Sequence, residues 1–221
     1  MNNTELPTRS YQHGVTNTAK PTLIGITGGI GSGKSTIARA LAARGFAVYD
    51  CDKEAKRIIA EDGNVQEQII ALLGEEAFIE VPSDQVPSTK VYNTAYVAGK
   101  VFAKPELLEK LNGIVHPAVK EDILAKRPDF VESAILYEAG LDVLCDRIIV
   151  VEAPEDVRIA RTIKRDYQGE ASSENVNKVR ARIRAQAECK SVVTDAKRPL
   201  VIHNDGHSEI ADLVSVILKN I

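Results

Sequence analysis

The sequence predicts an α/β fold, a parallel sheet flanked by helices, and three observations predict it. The stretch Thr22–Thr36, TLIGITGGIGSGKST, runs from an apolar segment through glycines into Lys34-Ser35-Thr36. Further along, short apolar runs alternate with segments of helical period, the pattern of parallel strands joined by right-handed crossovers. The 221 residues are 44% hydrophobic but only 5% aromatic, with no Trp. The core must therefore come from Ile, Val, Leu and Ala, as in a sheet buried on both faces. Length and composition suit one domain over residues 21–221.

Residues 1–20 are polar, aperiodic and rich in Asn and Thr, which predicts a flexible leader. Thr22–Thr27 reads as a central strand and Ser35–Arg44 as a helix that Gly45 ends. Phe46–Tyr49 is a second apolar run, leading through Asp50-Cys51-Asp52 into a helical KEAKRIIAED. Val65–Leu73 reads as a helix stopped by Gly74, and Glu75–Lys90, with two prolines, as an irregular excursion. Asn93 suits the cap of a helix over Thr94–Phe102, Pro105 opens another towards Val115, and Pro117 suits the first turn of a third. Residues 64–127 thus form a helical insert. Phe130–Leu136 and Arg147–Val151 read as buried strands, and Pro154–Arg165 as a helix. A polar loop Asp166–Ser173 precedes a long helix from about Glu174 to Ala187. Leu200–His203 is the last strand, and Ile210, Leu213, Val214 and Ile217 share one face of a closing helix.

Gly28–Ser35, GGIGSGKS, matches the phosphate-binding pattern G-x-x-x-x-G-K-[ST] between a strand and a helix. Glycines at 28, 29, 31 and 33 let backbone N–H groups crowd around a phosphate, with Ser32 between them. The following helix adds its positive end. Lys34 can reach the β- and γ-phosphates of ATP, and the Ser35 hydroxyl can ligate Mg2+. A glycine-rich turn capping an ordinary helix is the alternative, and the strand-loop-helix context disfavours it.

In such α/β sheets ligands bind at the carboxyl ends of the strands, where several polar residues follow apolar runs. Asp52, or Asp50, can accept the proton of an attacking hydroxyl; the competing role for Asp52 is helix N-cap, with Asp50 a solvated turn residue. Arg161 and Arg165, four apart on one helix face, can clamp a transferring phosphoryl group or stand as two surface cations. His116 before Pro117 reads as a local cap first and a substrate contact second. Glu138 reads equally as a residue near the metal or a loop carboxylate, and Asn204-Asp205-Gly206 as a turn before an adenine contact. Lys178, Arg180, Arg182 and Arg184 read as a solvated helix face.

A net charge of −3 speaks against non-specific binding to nucleic acid. Cys51, Cys145 and Cys189 form no C-x-x-C pair, which fits structural thiols in a reducing cytoplasm rather than disulfides or zinc. No apolar run is long enough to span a bilayer, so no membrane partner is expected.

Taken together, ITGGIGSGKST, Asp50-Cys51-Asp52, His116-Pro117, Glu138, Arg161 with Arg165-Asp166, and Asn204-Asp205-Gly206 resemble the dephospho-coenzyme A kinase family in order and spacing. The resemblance runs from about Thr22 onward. It implies the three-layer P-loop NTPase fold of nucleoside monophosphate kinases. It also implies ATP-dependent phosphorylation of the ribose 3′-hydroxyl of dephospho-coenzyme A with Mg2+, the last step of coenzyme A biosynthesis. Carried over, Gly29 and Gly31–Thr36 hold the ATP phosphates, with Asn204 and Gly206 also on the ATP side. Asp52 is the base or orienter, Arg161 and Arg165 belong to a lid segment of about residues 161–187, and His116 and Glu138 lie on the acceptor side, which the helical insert helps to form. A monomer or small homo-oligomer is expected. The sequence departs from the family pattern at Lys56, at Tyr92-Asn93-Thr94 and at Ala134. Competing readings are another small-molecule kinase, for a nucleoside monophosphate or a sugar acid; a GTP-binding switch, for which no Asn-Lys-x-Asp segment is present; and an oligonucleotide-binding module, disfavoured by charge and few aromatics.

Overall fold

The computed structural model of the chain describes residues 22–81, 89–188 and 199–221; the expected leader and Cys189 lie outside them. In chain order the elements are β1 (Ile24–Gly28), α1 (Lys34–Ala43), β2 (Val48–Asp50), α2 (Cys51–Glu61), α3 (Gly63–Leu73), β3 (Phe78–Val81) and β4 (Thr89–Tyr92). There follow α4 (Thr94–Ala103), α5 (Pro105–Lys126), β5 (Phe130–Glu132), β6 (Arg147–Glu152), α6 (Glu155–Asp166), α7 (Ser173–Glu188), β7 (Leu200–His203) and α8 (Ile210–Asn220).

Five strands form one parallel sheet in the order β2-β5-β1-β6-β7, with β1 in the middle. Alternation along each strand sorts the side chains into two cores. Ile24, Ile26, Phe130, Ile149, Val151 and Ile202 meet α1 and α8 through Ile37, Leu41, Val214 and Ile217. On the other face Tyr49, Val131 and Ile148 meet α2, α3 and α5 through Ile58, Ile69, Val119 and Ile123. The insert shares this second core, so it is continuous with the sheet and not a separate body. Ion pairs add to the junction of α2 and α5: Arg57 bridges Glu54 at 2.7 Å and Asp122 at 2.9 Å, and Tyr49 donates to Asp122 at 2.7 Å. With Arg57 35% exposed, each pair contributes at most about 1 kcal/mol. Fully burying one aliphatic side chain contributes about 1.5–3 kcal/mol, so the apolar faces dominate.

Four local expectations are corrected. Pro105–Lys126 is one helix, not two, with Pro117 in its interior. Proline removes the hydrogen bond to the Gly113 carbonyl, and burial of Leu111, Val119 and Ile123 holds the helix together across the gap. The expected irregular excursion contains an antiparallel hairpin, β3 with β4, in which Phe78 meets Tyr92 with ring centroids 5.5 Å apart. The strand expected over Phe130–Leu136 ends at Glu132. Leu136 is buried because it folds back over Gly25, where a Cβ would come within 3.0 Å of it and of Cys145 Sγ. Finally, the cap of α2 is Asp50, accepting from Lys53 N at 3.0 Å, and not Asp52.

Candidate active site

Strand β1 is central, and the chain leaves it towards both edges of the sheet, so the loop after it sits at the switch point where α/β sheets bind ligands. Two glycines there are required by shape. Gly31 has φ 76° and Gly33 φ 95°; a Cβ on the first would strike the Arg158 carbonyl, and on the second the Asn204 amide. Gly33 occupies the cap position of α1 without a side chain to satisfy the first-turn N–H groups. Those groups and the helix dipole favour an anion.

The β5 alternation puts Glu132 on the α1 face, at the carboxyl end of its strand. Its Oε1 lies 3.5 Å from Lys34 Nζ and accepts from Ser35 Oγ at 3.2 Å. Glu132 is 6% exposed, and burial pushes its carboxyl above the usual range, against the pull of the Lys34 ammonium and with Asp50 and Asp52 adding to the rise. No sequence motif marked it. The signal available was the strand parity that sets 130 and 132 on the same face.

Behind the loop stands a brace. Arg158 Nε donates to the Ile30 carbonyl at 2.8 Å, and Arg161 donates to the carbonyls of Ser32 at 3.3 Å and Asn204 at 3.0 Å. Asn204, 2% exposed, accepts from Arg161 at 3.0 Å and donates to the Ser32 carbonyl at 2.8 Å. Gln186 on α7 accepts from Ile30 N at 2.7 Å and donates to the Ala134 carbonyl at 3.3 Å. Ile30 itself packs in the small core of Ile159, Ile163, Val179 and Ile183 that joins α6 to α7. The structure does not bring Arg161 and Arg165 together at the loop. The arginines that reach the loop are Arg158 and Arg161, engaged with backbone carbonyls, while Arg165 is 61% exposed and paired with Asp166 at 2.6 Å. Arg158 and Gln186 were not singled out in the sequence, where each looked like one polar residue among many on a helix. Asn204 is likewise engaged by the loop, and the turn expected after it is present, with Gly206 at φ 95° and Asp205 accepting from His207 N at 2.9 Å.

On the other side of Glu132 the capping duty of Asp50 leaves Asp52 free, exposed in the first turn of α2. Asp52 borders a cavity of about 90 Å³ with Cys51, His116 and Ser133. The Cys51 thiol is pushed up to about 12, first by burial and then by Asp52 and Glu132, so it stays protonated and structural. His116 also lines a groove of about 490 Å³ along α5 with Asn112, Lys120 and Glu138. It lies inside α5 and is not the expected local cap. Burial, and then the Lys120 charge, hold its imidazole below its usual range, hence neutral at pH 7. The carboxylate beside Ser35 is Glu132, and Glu138 lies in the groove instead.

A phosphate loop with a free carboxylate at the neighbouring strand end suits phosphoryl transfer, and comparison with known proteins gives the family. The dephospho-CoA kinase family model matches residues 22–210. The chain belongs to the dephospho-CoA kinase family. A dephospho-CoA kinase of Porphyromonas gingivalis is 32% identical over 200 residues, covering 88% of this chain and 92% of that one. One of Fusobacterium nucleatum is 39% identical over 162 residues, covering 71% and 79%. Among solved structures, the Thermus thermophilus protein TT1252 superposes with a TM-score of 0.66 at 29% identity, covering 91% and 96%. The three-layer P-loop kinase fold follows from this likeness and from the sheet order.

The departures from the dephospho-CoA kinase pattern all lie outside the phosphate loop. Lys56 is exposed on α2. Asn93 caps α4, accepting from Tyr96 N at 3.2 Å, and donates to the Glu76 carbonyl at 3.0 Å. Ala134 contributes only its carbonyl, to Gln186.

Proposed function

We propose that this chain transfers the γ-phosphoryl group of ATP to the ribose 3′-hydroxyl of dephospho-coenzyme A. The observation that carries the reading is the free carboxylate of Asp52, close to Glu132 and bordering a cavity that shares His116 with the α5 groove. Donor and acceptor binding regions meet there. The loop N–H groups from Gly31 to Thr36 and the Lys34 ammonium hold the β- and γ-phosphates and offset the charge that builds up in transfer. Asn204, Gly206, Arg161 and the segment to residue 187 serve ATP by holding that loop in shape. Asp52 accepts the 3′-hydroxyl proton as the ribose oxygen bonds to the γ-phosphorus and the bond to the β-phosphate oxygen breaks. The products are coenzyme A and ADP.

The Ser35 hydroxyl and the Glu132 carboxylate are hard oxygen donors on one side of Lys34, and they fit Mg2+ arriving with ATP. When bound, the ion neutralises phosphate charge. Among the described residues no cluster of three or more acidic, His or Cys side chains could hold a metal by itself, which suits an ion held largely by substrate phosphates and water. No helix among the described residues is long and apolar enough to cross a membrane. Action in the cytoplasm is part of the proposal, supported by the buried free thiol of Cys51.

The test is an ADP-release assay with Mg2+ and ATP across a panel of acceptors, with the product placed by phosphorus NMR. Dephospho-coenzyme A gives the expected turnover and a 3′-phosphomonoester. Turnover with a nucleoside monophosphate or a sugar acid, and none with dephospho-coenzyme A, would overturn the reading.

A further inference from the structure

The second half of helix α5 carries two lysines, and the chain treats them differently. Lys126 is paired with Glu54 and Asp122, the latter at 3.0 Å. Lys120 is half-buried in the wall of the groove and makes no ion pair among the described residues, although Glu109 and Glu138 line the same groove. Its ammonium stands 3.1 Å from where a Cβ on Gly140 would be, and Gly140, at φ 60°, leaves that approach open. A lysine on a convex surface needs no partner, but one held in a concave wall has lost part of its hydration and favours an anion.

We propose that Lys120, with His116 one helical turn before it, binds the 5′-diphosphate of the acceptor and so sets the ribose over Asp52. This rests on the reading of the chain as a dephospho-coenzyme A kinase and names the contact that positions its acceptor. The spacing fits the ligand. Residues four apart on a helix are separated by about 6 Å of rise, comparable to the reach across the outer oxygens of a diphosphate. His116 belongs to both the cavity at Asp52 and the groove at Lys120, so a ribose in the first places its diphosphate at the second. His116 is neutral and donates one N–H, while Lys120 supplies the charge. From Lys120 the groove runs back along α5 past His116 and Asn112 to Leu108 and Pro105.

The test compares acceptors with and without the diphosphate, in the wild type, Lys120→Met and Lys120→Arg. Calorimetry gives the affinities for dephospho-coenzyme A, adenosine and ATP, and steady-state kinetics the KM values. Lys120→Met, which keeps the stem and removes the charge, is expected to weaken dephospho-coenzyme A on the order of 10- to 100-fold. Adenosine and ATP affinities change by less than about twofold, and Lys120→Arg recovers much of the loss. An unchanged affinity for dephospho-coenzyme A, or an equal loss with adenosine, would overturn the proposal. Retained ATP affinity shows that the variant is folded. If the wild type turns over dephospho-coenzyme A and Lys120→Met does so at the same KM, the inference fails alone; no turnover by the wild type sinks the proposed function and this inference with it.

Discussion

The two halves of the proposed site, donor and acceptor, are built on different principles. On the donor side almost every polar group has a protein partner: the loop carbonyls take Arg158, Arg161 and Asn204, the Ile30 amide takes Gln186, and Glu132 takes Lys34 and Ser35. On the acceptor side His116, Lys120, Glu138 and Asp52 line open space, and Lys120 and Asp52 have no ion pair among the described residues. A phosphate is bound chiefly by backbone N–H groups, so its loop must be fixed in shape before the ligand arrives. An acceptor recognised by side chains along a helix needs only that their directions be set. Rigidity is thus concentrated on one side of Asp52 and adaptability on the other.

That contrast can be broken at defined points. Within the donor side the largest effect is expected at Glu132. Glu132→Gln keeps a hydrogen-bonding group but removes the charge facing Lys34 and the ATP-borne ion, and kcat is expected to fall on the order of 100-fold. The same change should stabilise the fold. The folded-state carboxyl titrates above its unfolded value, so its ionised form opposes folding. The opposition is absent below the unfolded range and complete above the raised folded one. Near neutral pH the variant should therefore melt a few degrees higher than the wild type, and the advantage should shrink as the pH falls through that window. Thermal melts against pH check it; a variant that melts lower at neutral pH would show that the pairing with Lys34 outweighs the burial.

A smaller effect, confined to the donor side, is expected at Asn204. Asn204→Ala leaves the buried Ser32 carbonyl without its 2.8 Å donor and removes one of the acceptors of Arg161. The loss of stability should be about 1–3 kcal/mol, read by denaturant melts. The KM for ATP should rise while that for dephospho-coenzyme A stays put. A rise in both would mean that the two halves are mechanically joined and the contrast is false.

How far the sequence revealed each half follows from the same contrast. The phosphate loop was legible because backbone binding demands glycines at fixed spacing in one contiguous stretch, and Asp52 because it closes the next apolar run. The order of strands and helices was legible from alternation of periods. Glu132 was hidden because its role depends on which face of a three-residue strand it occupies, and the end of that strand was obscured by Leu136, apolar for a different reason. Arg158 and Gln186 act on backbone atoms 128 and 156 residues away in sequence, and helix periodicity carries no such information. The hairpin escaped because four-residue strands are too short to show a period. Pro117 misled because a proline inside a helix is tolerated only where tertiary packing compensates.

Asp52 joins the two halves, and one variant tests that directly. Asp52→Asn keeps the size of the side chain and removes its ability to take a proton. Titration calorimetry should show ATP and dephospho-coenzyme A binding as in the wild type, while kcat falls on the order of 10²- to 10⁴-fold. Full turnover by Asp52→Asn, or loss of ATP binding, would contradict the account.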